Sequence, residues 1–249
     1  MKIIINPAYG HLASFIESIP DIYDKEGASI YKDRNQLKVF EVGNEKIAVK
    51  SFRIPIFFNR IAYTCFRPSK AKRSYKYALI LIEKQINTPK PIACIERKQN
   101  GLLADSYYVS TYNDYPGTLR ELRYHPLEET RDLVSAFIRF TVDIHEKEVF
   151  PLDYSPGNIL YEKVGGEYHF CLLDINRMQF KPVDMETGAY GLRRLWGSEE
   201  TIAFMAVEYA KIRKFDEKKC EELALKYHRT FWEKYTRKHD SGEQFAVSP

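Results

Sequence analysis

The sequence predicts an α+β fold in two parts, a small β-rich lobe over residues 1–112 and a larger helical lobe over residues 113–249. Three observations carry that prediction. Short apolar and β-branched runs separated by turn residues fill most of the first hundred positions. One long amphipathic helical pattern runs from Glu128 to Glu146, and two more helical patterns close the chain. With 44% hydrophobic and 29% charged residues among 249, wholesale disorder is excluded, and a chain of this length can bury a core without staples. Its 38 Lys+Arg against 34 Asp+Glu leave a net charge of +4, too mild to announce a nucleic-acid binder.

The elements follow in order. Ala28 to Lys32 is a short strand, Asp33-Arg34-Asn35 a turn, and Gln36 to Val42 a second strand. Gly43-Asn44 turns the chain into a third strand, Lys46 to Phe52. Ser69 is a candidate N-cap for a helix reaching Gln85, with Ala78, Leu81, Ile82 and Gln85 at helical steps. Pro89 and Pro91 are expected to end it, and strands follow at Ile92 to Glu96 and Ser106 to Tyr112. Asn113 to Gly117 is the connector. In the long helix Leu133, Phe137, Phe140 and Ile144 form the core stripe. Strands at Ile159 to Glu162 and Tyr168 to Leu173 flank the turn Val164-Gly165-Gly166. Helices from Glu199 to Lys214 and from Glu217 to His239 start behind Ser198 and Asp216, and a polar tail, Asp240 to Pro249, is expected to be loose.

The apolar run Ile3-Ile4-Ile5 is broken at Asn6-Pro7, too short for a signal peptide. No stretch approaches the roughly 18 apolar residues of a spanning helix. Cys65, Cys94, Cys171 and Cys220 lie apart without a C-x-x-C pair, which suggests neither zinc nor disulfides. A cytoplasmic protein is expected, with contact at the inner face of the membrane left open.

The segment richest in chemistry is Leu152-Asp153-Tyr154-Ser155-Pro156-Gly157-Asn158, a carboxylate and a carboxamide in one loop between a long helix and a short strand. Asp174 stands at the end of the next apolar strand. Phosphoryl transfer to a hydroxyl needs such a set: one carboxylate to accept the proton, and oxygen ligands to hold Mg²⁺ on the phosphates. Lys50, in Ala48-Val49-Lys50, supplies a charge for those phosphates.

Together these residues resemble the protein-kinase signature set. Lys50 matches the strand lysine, Asp153 with Asn158 match the D-x-x-x-x-N of the catalytic loop, and Asp174 matches the aspartate of D-F-G. A narrower resemblance runs over nearly the whole chain. It is carried by D-R-N-Q-L-K from Asp33, P-S-K-A-K-R-S-Y from Pro68, T-P-K-P-I-A from Thr88, I-H-E-K-E-V-F-P-L-D-Y-S-P-G-N-I-L, L-L-D-I-N-R-M-Q-F and G-L-R-R-L. The chain is similar to the lipopolysaccharide core kinases, the Kdo and heptose kinase group of Gram-negative bacteria. That resemblance implies a bilobal protein-kinase-like fold and transfer of the ATP γ-phosphate to a sugar hydroxyl of a glycolipid. It implies Asp153 as base, Asn158 and Asp174 as Mg²⁺ ligands and Lys50 on the phosphates. The backbone of Asn113, Asp114 and Tyr115 would meet the adenine.

The sequence departs from the kinase pattern in four places. The turn Asp33-Arg34-Asn35 has no glycine, so phosphate contact there falls to Arg34, Asn35 or backbone amides. Pro151-Leu152 replaces the His-Arg before the base, and Asn176 replaces the glycine after Asp174. Lys76 stands where the helix glutamate for Lys50 is expected, with Glu83 further along the same face. These departures motivate a rival reading, a pseudokinase or nucleotide-binding scaffold. A kinase acting on proteins is disfavoured, since nothing between Asp174 and Trp196 resembles an activation segment ending in A-P-E.

Other residues keep two readings each. His145 either takes part in chemistry or packs under the catalytic loop and hydrogen-bonds its backbone. Arg193 and Arg194 either grip a phosphate or sugar acid, or one of them pairs with a buried carboxylate. From Lys46 to Lys76 there are nine basic residues and no acidic one, interleaved with Phe52, Phe57, Phe58, Tyr63 and Phe66. That composition suits a membrane interface better than a nucleic-acid groove when the acceptor is a glycolipid, and it also suits a local core with solvated charges.

Overall fold

The computed structural model describes residues 1–32, 35–52 and 67–238. Asp33 and Arg34, the apolar run from Ile54 to Phe58, Tyr63, Cys65, Phe66 and the polar tail lie outside the described residues, as do Arg53 and Arg60 of the basic stretch. The chain divides into two compact units, Met1–Asp114 and Tyr115–Pro249.

In the first unit a six-stranded antiparallel sheet has the order β1-β5-β6-β4-β3-β2. Its strands are β1 (Lys2–Ile5), β2 (Ala28–Lys32), β3 (Asn35–Val42), β4 (Glu45–Phe52), β5 (Pro91–Gln99) and β6 (Leu102–Thr111). The β3–β4 hairpin turns at Gly43, whose φ of +60° suits a residue without a Cβ. Helix α1 (Ala13–Ile22) follows a 3-10 turn at Pro7–Leu12 and lays Ile16 and Ile19 on one face of the sheet. They pack there with Phe40, Ile47, Val49, Ile95, Tyr107 and Val109 in one apolar cluster.

Strand alternation sends Lys50, next to Val49, to the opposite face. There it stands in a cross-strand row, opposite Leu37 on β3 and Tyr108 on β6, with Cys94 beyond Tyr108 on β5. Helix α2 (Lys70–Glu83) packs against β4, β5 and β6 of this sheet. Ser69 caps α2 by accepting a hydrogen bond from the Lys72 amide at 3.0 Å.

The α2 stripe differs from the expected one. The helix buries Ala71, Ser74, Tyr75, Ala78 and Leu81, whereas Ile82 is 42% exposed. The chain leaves the helix at Lys84, and Gln85 takes a φ of +56°, so the end precedes both prolines.

The second unit is built on α3 (Leu127–Glu146), α4 (Met185–Leu192), α5 (Glu199–Arg213) and α6 (Glu217–Lys238). In α3, Leu133, Val134, Phe137, Ile138 and Ile144 are buried, and Phe140 stacks on Phe170 with ring centroids 5.2 Å apart. Two small antiparallel sheets carry the loops between these helices. One has the order β10-β9-β7, from β7 (Gly117–Thr118), β9 (Ile159–Val164) and β10 (Glu167–Leu172). The other pairs β8 (Val149–Pro151) with β11 (Met178–Phe180). The described cysteines Cys94, Cys171 and Cys220 are buried free thiols, and burial pushes Cys94 and Cys171 up to about 12.

Candidate active site

Two ladders converge on the loop that follows α3. β8 leads into it and β9 leads out. The register Pro151↔Met178 ties its start to β11, and Ile159↔Leu172 ties its end to β10. Beyond those ladders the Leu152 amide donates to the Arg177 carbonyl at 2.9 Å, and the Leu173 amide donates to the Asn158 carbonyl at 2.8 Å. Asp174 is the next residue. The folding of one continuous stretch therefore brings Asp153, Asn158 and Asp174 together within a single unit.

Inside the loop the Ser155 amide donates to the Asp153 carbonyl at 2.9 Å. The Asn158 carboxamide does the same through Nδ2 at 3.1 Å, which leaves Oδ1 as the oxygen it presents. Tyr154, between them in sequence, is buried beneath the loop, where its hydroxyl meets Thr141 of α3 at 2.9 Å and its ring stacks on Phe137. Burial pushes the Tyr154 phenol well above its ordinary range. It anchors the loop by donating to the Thr141 hydroxyl, which itself donates to the Phe137 carbonyl.

Asp174 adopts a left-handed backbone, φ +48°, and Asn176 donates through Nδ2 to its Oδ1. An aspartate tolerates this region better than most residues. Asn176, which replaces the expected glycine, orients the carboxylate instead of supplying backbone freedom.

The Asp153 carboxylate is held by Arg194, whose Nη1 lies 2.8 Å from Oδ1. Arg194 thus makes an ion pair with a carboxylate, though a half-buried one and not the buried one expected. Arg193 is engaged locally: its Nη1 donates to the Tyr190 carbonyl at 2.7 Å, and its guanidinium sits 3.6 Å from the Tyr190 ring centroid. Burial, helped by the neighbouring Arg194, lowers the Arg193 pKa.

His145 is buried at the end of α3. Its Nδ1 meets the Tyr209 hydroxyl of α5 at 3.0 Å rather than the loop backbone. Arg213 also donates to that hydroxyl, at 2.9 Å, and to the Val183 carbonyl at 2.8 Å. Burial, with Arg213 second, drives the His145 pKa down to about 3, so the ring is neutral. The structural reading of His145 holds, with a helix in place of the loop as its partner.

In the first unit Lys50 is half-buried, and its Nζ lies 5.6 Å from the Phe52 ring centroid. Lys70 approaches the same ring, at 5.9 Å. Lys76 and Glu83 are both exposed on α2, so neither belongs to the face buried against the sheet. Asn35 opens β3 opposite Phe52, and its Oδ1 is buried without a hydrogen-bond partner. Asn113, Asp114 and Tyr115 form an irregular link after β6 at the sequence boundary between the units. Arg34 lies outside the described residues.

The donor set near Asp153 fits a hard cation. A carboxylate at Asp174 and a carboxamide oxygen at Asn158 are ligands suited to Mg²⁺, which commonly takes one or two protein oxygens and completes its shell with phosphate and water. Among the described residues no group of three or more His, Cys, Asp or Glu could hold a metal ion, so this pair needs nucleotide oxygens to complete a shell.

Comparison with solved structures decides the architecture. WaaP in complex with acyl carrier protein matches with a TM-score of 0.65 at 16% identity, covering 94% of this chain and 99% of that one. The fold is protein-kinase-like. The Rio2 kinase–ADP/Mg²⁺–phosphoaspartate complex from Chaetomium thermophilum also matches, with a TM-score of 0.49, 12% identity, and coverage of 96% of this chain and 74% of that one. No family model and no curated protein matches the sequence. Among the described residues no helix is long and apolar enough to cross a membrane.

The sequence reading missed Arg194 as the partner of Asp153. The signal lay in the doubled arginine between Leu192 and Leu195. Both leucines are fully buried, which anchors the turn and delivers Arg194 to the loop.

Proposed function

We propose that this protein is an ATP-dependent kinase that transfers the γ-phosphate to a sugar hydroxyl of a lipopolysaccharide-core-like glycolipid. The observation that carries the reading is the hydrogen bond from the Leu173 amide to the Asn158 carbonyl, which sets Asp174 beside the Asp153–Asn158 loop. A carboxylate base and a pair of hard oxygen ligands then share one small region, as transfer to an alcohol requires. The glycolipid acceptor rests on the sequence resemblance.

In this reading Asp153 accepts the acceptor's proton as its oxygen attacks phosphorus, and the carboxylate orients that oxygen beforehand. Asn158 Oδ1 and the Asp174 carboxylate would hold Mg²⁺, which would supply charge to offset the phosphate oxygens. Lys50 neutralises phosphate oxygens, with Arg34 and Asn35 assigned to the same task. The backbone of Asn113, Asp114 and Tyr115 is assigned to adenine. A glycolipid acceptor would place the protein in the cytoplasm, peripheral to the inner membrane face, through the basic stretch from Lys46 to Lys76.

One observation favours the rival, a nucleotide-binding scaffold: α2 buries no acidic side chain on its sheet face that could position Lys50. ADP release from Mg-ATP with purified inner-core glycolipid separates the two. The kinase reading expects acceptor-dependent turnover that Asp153→Asn abolishes, and the scaffold reading expects nucleotide binding without turnover.

A further inference from the structure

The backbone bonds of the catalytic loop fix the position of the Asp153 Cα but leave its carboxylate free to rotate. Leu152, Ser155 and Asn158 all engage main-chain atoms. Among the described residues, the polar contact to the carboxylate itself comes from Arg194, at 2.8 Å. From this geometry we infer that Arg194 is the positioning residue for Asp153, holding Oδ1 so that Oδ2 faces the acceptor hydroxyl. The inference rests on the kinase reading.

Arg194 is itself prepared for the task. It follows α4 in a turn where the Leu195 amide donates to the Leu192 carbonyl at 3.0 Å, and both flanking leucines are fully buried. Its guanidinium lies 5.5 Å from the centroid of the Phe231 ring on α6, an aromatic shelf suited to a planar cation. Arg193 cannot substitute, because its own fork is bonded to the Tyr190 carbonyl and stacked on that ring.

The pair joins Arg194 Nη1 to Asp153 Oδ1 at 2.8 Å. Side-chain exposures of 27% for Arg194 and 24% for Asp153 leave the pair partly screened, so it contributes little to stability. Orientation is the effect that remains, and misplacing a reacting group by about 1 Å can cost on the order of 100-fold in rate.

The test compares wild type, Arg194→Ala, Arg194→Lys, Asp153→Asn and the Arg194→Ala/Asp153→Asn double variant, with ADP release measured on Mg-ATP and inner-core glycolipid. Positioning predicts that Arg194→Ala lowers kcat by roughly 100-fold. The melting temperature and Mg-ATP affinity should stay near wild type, and Arg194→Lys should recover only part of the rate. Added guanidinium ion at millimolar concentration should partly rescue Arg194→Ala but neither Asp153→Asn nor the double variant, which both stay inactive. An unchanged kcat in Arg194→Ala, or guanidinium that restores none of its lost rate, would overturn the inference. Absence of turnover in wild type would instead count against the kinase reading. In that case the crystal structure of Arg194→Met decides: a rotated Asp153 carboxylate supports positioning, and an unmoved one refutes it.

Discussion

Asp153 and Asp174 sit close together in the fold but are assigned separate tasks, and that separation is measurable. With Asp153 as the proposed base, its loss leaves the phosphate ligands intact, so Asp153→Ala should abolish transfer while Mg-ATP affinity stays within a few-fold of wild type. With Asp174 as the proposed cation ligand, Asp174→Ala should lose both rate and affinity. Titration of nucleotide binding by calorimetry, with Mg²⁺ present, distinguishes them, and equal affinity in wild type and Asp174→Ala would refute the metal assignment. These residues were legible in the sequence because their spacing is set by one local supersecondary unit. Arg194 was not, because its partner lies on a different element and only tertiary folding joins them. Lys76 misled for a related reason: a position in an aligned pattern does not reveal which way a helix is rotated, and α2 turns that side chain to solvent.

At the level of elements, packing overrode local preference in several places. Helix α4 was not foreseen, since Gly188 and Gly191 depress helical propensity. Packing excludes a side chain at Gly188, where a Cβ would stand 2.4 Å from the Tyr209 hydroxyl, and leaves little room at Gly191, where one would stand 3.2 Å from Phe150. Gly188→Ala should therefore destabilise by about 1–3 kcal/mol in denaturant unfolding, the scale of overpacking, despite the better helix former. Helix α1 and β1 were also missed, the first because Pro20 lies within it and the second because four residues give too little alternation to read. By contrast, Ser69 was a legible cap. Its hydrogen bond to the Lys72 amide implies that Ser69→Ala costs about 1 kcal/mol in the same measurement.

The α3–α5 contact adds a pH dependence. His145 is held neutral in the folded protein with its pKa lowered to about 3, below its ordinary 6.5. Between those values the unfolded chain takes up a proton that the native chain refuses. Stability contributed at this site is thus complete above pH 6.5 and falls as pH drops towards 3, by about 1.4 kcal/mol per unit. His228, lowered to about 4 by burial, acts in the same direction. His145→Gln should flatten the acid limb of stability against pH by one proton's slope. An identical slope in the variant would show that the ring is not buried neutral.

For the whole molecule, the proposed acceptor dictates where the protein works. A glycolipid hydroxyl lies at headgroup level, and basic residues near an anionic surface attract it with about 1 kcal/mol each. Co-sedimentation with vesicles should rise with the anionic lipid fraction and fall as salt shortens the Debye length from about 30 to 8 Å. Charge reversal at Arg67 and Lys70 should weaken it. Binding indifferent to lipid charge and to those substitutions would return the basic stretch to ordinary packing. The most direct test of the central claim remains chemical. Purified protein is incubated with Mg-ATP and inner-core glycolipid, and phosphate incorporation into the acceptor is followed. Incorporation that requires the glycolipid and disappears in both Asp153→Asn and Asp174→Ala is the predicted result. Nucleotide binding without incorporation, or incorporation that survives Asp153→Asn, would contradict it.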